Sequence, residues 1–91
     1  MKINIRSYGD LSKILGEQNA VDLEDEVTLS DLITKLEEKI GKKGLFLSYN
    51  NKQKSTLTIL VNGRNIQALN GLRTILKNGD TVVFIPLVVG G

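Results

Sequence analysis

Apolar residues near the start of the chain fall on every second position, with Ile3 and Ile5 on one side and Lys2, Asn4 and Arg6 on the other. That alternation predicts a strand with one wet face over Lys2 to Tyr8. Gly9-Asp10 ends it, and Leu11, Ile14 and Leu15 then take the i, i+3, i+4 spacing of a short helix that stops at Gly16. Asn19 to Leu23 places Val21 and Leu23 on one face, so the chain returns as a second short strand in a loose hairpin. After the acidic turn Glu24-Asp25-Glu26 the period changes: Leu29, Leu32, Ile33, Leu36 and Ile40 form one stripe opposite Lys35, Glu38 and Lys39, the pattern of an amphipathic helix. Thr28 with Asp31 three residues on forms a capping box in which Asp replaces the usual Glu or Gln, and Gly41 supplies the stop.

The second half is shorter in its rhythm. Gly44 to Ser55 reads as a polar connection around Leu45, Phe46, Leu47 and Tyr49, with Asn50-Asn51-Lys52-Gln53-Lys54 expected as a mobile loop. Leu57 to Asn62 alternates again, Asn62-Gly63 is a type I′ hairpin signal, and Arg64 to Ile66 returns as a very short strand. Leu69 to Leu76 is too short and glycine-interrupted for a full helix, which predicts a helical turn anchored by Leu72 and Leu76. Asn78-Gly79 opens a final apolar run, Thr81 to Ile85, that belongs inside a sheet. Pro86 cannot donate to a ladder, so the strand is expected to end near it and to release residues 87–91 as an exposed, flexible C-terminal tail. Frayed ends are usually polar, whereas Leu87, Val88 and Val89 precede Gly90-Gly91 here; exposed apolar surface of that kind calls for a partner.

Composition narrows the chemistry. The 91 residues make a single domain, 1–91, and the formal charge of +2 is spread along the chain, which argues against nucleic acid. No apolar run approaches a membrane span and the alternating start is unlike a signal peptide, so the expectation is a cytoplasmic protein away from membranes. With no Cys and no His, thiol nucleophiles, ordinary zinc sites and the commonest general base are excluded. Glu24, Asp25 and Glu26 read as a solvated turn rather than an acid/base pair; Lys42, Lys43, Lys52 and Lys54 read as solvated loop charges rather than an anion site. Gly63 and Gly79 are turn glycines and not a phosphate loop. The chain is therefore not expected to be a catalyst by itself, nor to bind a cofactor.

Two strands, one long amphipathic helix and further strands give an α+β domain with a single helix across a mixed sheet of four to five strands. The segments Ile59-Leu60-Val61-Asn62-Gly63-Arg64, Gly71 to Val82, Phe84-Ile85-Pro86 and Gly90-Gly91 resemble the small subunit of molybdopterin synthase and its ubiquitin-like sulfur-carrier relatives. That resemblance implies the β-grasp fold, with the first and last strands as a parallel central pair. It also implies that an adenylating enzyme, using ATP-Mg, activates the Gly91 carboxylate. A sulfur donor then yields a thiocarboxylate, and the large subunit of molybdopterin synthase receives it. Pro86, Leu87, Val88, Val89 and Gly90 would contact those partners. Without Cys, the terminal carboxyl is also the one place where this chain can hold transferable sulfur covalently.

Glycine there lets an extended backbone enter a narrow channel and leaves the carbonyl open to attack. The family's tail often has a second proline where Leu87 stands and alanine where Val89 stands, so the partner that it fits stays open. Other carriers share fold and ending, including those of thiamine synthesis and tRNA thiolation, as do modifiers joined to target-protein lysines. A non-covalent β-grasp interaction module is the remaining alternative.

Overall fold

The strand β1, Lys2–Ser7, buries Ile3, Ile5 and Ser7 while Lys2 and Arg6 face solvent, as its alternation requires. Ser7 is satisfied in its buried position by donating its hydroxyl to the Gly16 carbonyl at 2.6 Å. This is a computed structural model; it describes residues 1–24, 26–46 and 55–88, with residues 55, 56 and 88 described by backbone alone. Asp25 and the loop expected at residues 50–54 thus lie outside the described residues. A short helix α1, Asp10–Leu15, buries Leu11 and Leu15. The chain then returns as β2, Gln18–Asp22, antiparallel to β1 with Ile3 opposite Val21.

The main helix α2, Leu29–Ile40, is delimited by the two devices visible in its sequence. At its start, Asp31 N–H donates to Thr28 Oγ1 at 3.2 Å and Thr28 N–H donates to Asp31 Oδ2 at 2.9 Å, so the shorter Asp completes the capping box. At its end Gly41 takes the left-handed conformation, φ 71° and ψ 28°. Leu29, Leu32 and Leu36 are buried, with Ile33 and Ile40 half-buried beside them. Each fully buried leucine contributes about 1.5 to 3 kcal/mol.

The strands β3, Ser55–Val61, and β4, Arg64–Asn65, form the hairpin predicted at Asn62-Gly63, with positive φ at both turn residues, 52° and 82°. Two 3₁₀ turns, Ile66–Ala68 and Gly71–Arg73, lead to β5, Thr81–Val88. The sheet order is β2-β1-β5-β3-β4, with β5 parallel to β1 and antiparallel to β3. The last strand is thus the middle of a five-stranded β-grasp sheet, and the parallel pairing implied by the resemblance is present.

Three expectations are corrected. Phe46, assigned to a polar connection, is a core residue: its N–H donates to the Glu37 carboxylate at 3.1 Å and its ring lies 4.9 Å from that of Phe84. Leu72 does not anchor its turn, since it is 49% exposed; buried Leu76 does so, with Leu69 packed against the core and Thr74 buried. The ladder does not end at Pro86 but runs on through Leu87 and Val88, opposite Thr56 and Ser55. The reason lies in which way backbone groups point. Phe84 O accepts from Tyr8 N and Thr81 O accepts from Asn62 N, so even-numbered residues of β5 turn their polar groups to β1 and odd-numbered ones to β3. Pro86 therefore lacks an N–H only on the side where β1 has already ended, and Leu87 stays in register with β3.

Candidate functional site

The candidate site is built on β5 because that strand leads into the C-terminal residues. Val82 and Phe84 point into the core, so Thr81, Val83, Ile85 and Leu87 occupy the opposite face, which no helix covers among the described residues. Leu60 of β3 lies directly across from Val83, and Arg6 of β1 flanks Val83 on the other side. Val83, Ile85 and Leu60 are half-buried, Leu87 is 50% exposed, and Tyr8, one residue beyond β1 on the same face, is 47% exposed. The result is an apolar strip descending β5 toward the terminus, flanked by Arg6 of β1 and, beyond Leu60, by the exposed Asn65 of β4.

The base of the strand is held by side chains of the motif residues. Asp80 accepts from Asn62 Nδ2 at 2.9 Å through one carboxylate oxygen and from Lys77 N–H at 2.8 Å through the other, while Thr81 N–H donates to Asn62 Oδ1 at 3.0 Å. On the β1 side, Gly79 N–H donates to Lys2 O at 2.8 Å and Lys2 N–H to Asn78 Oδ1 at 2.8 Å. The turns at Asn62-Gly63 and Asn78-Gly79 are thereby clamped to each other and to β1, fixing where β5 begins. None of these residues is positioned for chemistry; they set the strand.

Of the residues singled out in the sequence, Pro86 is half-buried and Leu87 exposed, both within β5. Val88 is described through its backbone, paired with Ser55, while Val89, Gly90 and Gly91 lie outside the described residues. Sequence reasoning missed Val83, Ile85 and Leu60. Their signal was present in the final run: Thr81 to Leu87 is apolar at odd and even positions alike, and a single helix covers only one face of a sheet. Among the described residues no helix is long and apolar enough to cross a membrane.

The ThiS family matches residues 5–91, nearly the whole chain. The chain belongs to the ThiS family. It is a ubiquitin-like β-grasp protein of the sulfur-carrier and modifier group. Small archaeal modifier protein 3 of Haloferax volcanii is 27% identical to it over 92 residues, covering all of both chains. A putative sulfur carrier protein of Archaeoglobus fulgidus is 35% identical over 77 residues, 80% of this chain and 88% of that one. Among solved structures, a Haloferax volcanii protein determined in solution superposes with a TM-score of 0.79 at 27% identity, covering 100% of this chain and 87% of that one. The complex of subunits 1 and 2 of the molybdopterin-converting factor of Helicobacter pylori contains a chain with a TM-score of 0.61 at 27% identity, with complete coverage of both. This ThiS-family chain thus has relatives described as carriers and as modifiers, and one solved in complex with a partner subunit.

Proposed function

We propose that this chain is a sulfur carrier for molybdopterin synthesis, working in the cytoplasm. The observation that carries the reading is the apolar strip on β5, which runs without interruption from Val83 to Leu87 on the strand that leads into the C-terminal residues. In the proposed cycle, a Gly91 carboxylate oxygen attacks the α-phosphorus of ATP-Mg on an adenylating enzyme, and pyrophosphate leaves. Sulfur at the sulfide level, supplied by a donor, then attacks the acyl carbon and AMP leaves, giving the thiocarboxylate. A second partner, equivalent to the large subunit of molybdopterin synthase, receives the sulfur, as the two-subunit Helicobacter pylori assembly suggests. The chain contributes the carbonyl and its presentation, and holds no cofactor in this scheme. Leu60, Val83, Ile85 and Leu87 offer apolar contact area to the partner, and Arg6 at the rim favours an acidic surface.

A second reading has its own support: the full-length relative in Haloferax volcanii is a modifier protein. Both readings share the adenylate, and the nucleophile separates them. Intact-mass measurement of protein isolated from cells should show a form heavier by one sulfur-for-oxygen exchange, and incubation with the large subunit and a pterin precursor should remove it. Abundant adducts on lysines of other proteins, resistant to reductant and lost when Gly90-Gly91 is deleted, would instead establish the modifier.

A further inference from the structure

Gly9 sits where β1 leaves the sheet. The last backbone contact before it is Tyr8 N–H to Phe84 O at 3.2 Å, and its own carbonyl turns away to accept from Ser12 N–H at 3.1 Å and Ser12 Oγ at 2.7 Å. Its φ of 60° and ψ of −142° belong to a region that L residues rarely enter. A Cβ built there would lie 3.1 Å from Pro86 Cγ, whereas at Gly41, Gly44, Gly63, Gly71 and Gly79 nothing lies within 4 Å. Two irregularities therefore coincide across β1 and β5: a residue without a side chain faces a residue without an N–H, and the proline ring occupies the space where another rung would form.

We propose that Gly9 is a positioning residue for the end of β5: its empty Cβ position seats the Pro86 ring against the turn that follows β1 and so fixes the direction in which the strand runs on through Leu87 and Val88. This rests on the reading that Gly91 is activated by a partner. Two strand residues span about 7 Å, so a tilt of about 10° at Pro86 displaces the strand at Val88 by about 1 Å, a misplacement large enough to slow a reaction strongly. β3 holds Leu87 from one side through the ladder; the Gly9–Pro86 contact supplies the constraint from the other.

The test is a double-variant cycle of Gly9→Ala and Pro86→Ala, with Gly41→Ala as a control that strains the positive-φ cap of α2, where nothing lies within 4 Å. Two readouts are taken on the full chain: amide hydrogen exchange at Leu87, and kcat/KM for ATP–pyrophosphate exchange with the adenylating enzyme of the same organism. Gly9→Ala is expected to lower kcat/KM about tenfold and to reduce protection at Leu87 while Ile3 and Ile59 keep theirs. In the Pro86→Ala background the same substitution should cost little further, and Gly41→Ala should lower the denaturation midpoint with kcat/KM unchanged. Wild-type values for Gly9→Ala, or an undiminished loss in the Pro86→Ala background, would overturn the proposal. Should Gly9→Ala not fold, Pro86→Ala alone decides: a reduced kcat/KM supports the contact and a wild-type value refutes it. A wild-type chain that supports no ATP–pyrophosphate exchange refutes activation itself, and protection at Leu87 then decides the positioning role independently.

Discussion

Asp80 joins two turns that are far apart in sequence, bonding to Asn62 through one oxygen and to Lys77 through the other. Charge-assisted bonds of this kind are stronger than neutral ones, so Asp80→Ala should lower stability by about 1 to 3 kcal/mol, read from the urea midpoint. Asn62 was legible as a turn residue because its neighbour is glycine; its partnership with Asp80 was not, because nothing local in a sequence marks a side-chain bond across 18 residues. The same limit explains Phe46 and Leu72. Phe46 is held by the Glu37 carboxylate at its N–H and by the ring of Phe84 on the last strand, a contact that no local pattern marks, whereas Leu72 points outward. Leu36→Ala should therefore cost about 2 to 5 kcal/mol and Leu72→Ala well under half of that, compared by denaturation midpoints.

At the level of elements, periodicity was the reliable guide. α2 falls where its stripe and caps put it, because both the apolar spacing and the capping chemistry are local. The extent of β5 was less legible: proline's missing donor is local, but which neighbour that donor would face depends on where β1 ends. Of the site, Pro86 and Leu87 were legible in the sequence, and the open-face strip was legible only in combination with the count of helices. The register makes a specific prediction. Thr56 pairs with Leu87 through backbone groups, so Thr56→Pro removes the N–H that the Leu87 carbonyl accepts from and puts a ring between the strands, which should loosen that rung and speed amide exchange at Leu87 while Val83 remains protected. Retained protection at Leu87 would show that the ladder is held by other contacts.

For the whole molecule, the two faces of one strand differ in what they meet. Val82 and Phe84 lie in the core, and Val83, Ile85 and Leu87 lie on the open face where the proposed partner would dock. Leu87→Asp should leave the denaturation midpoint close to wild type but weaken binding to the adenylating enzyme by a kcal/mol or more, measured by titration calorimetry, through lost apolar burial and carboxylate desolvation. Deleting Gly91 should likewise spare the fold while abolishing adenylate formation. The central place of β5 has one more consequence, which concerns synthesis. A ribosome delivers β1, β2, α2 and β3 before β5, yet β1 and β3 meet only through it. The nascent chain therefore lacks the middle of its sheet until residues 81–88 emerge, and closure of the sheet waits for them. A product truncated before that point leaves two hairpins with no strand between them, a species open to degradation, so every copy that folds already carries β5.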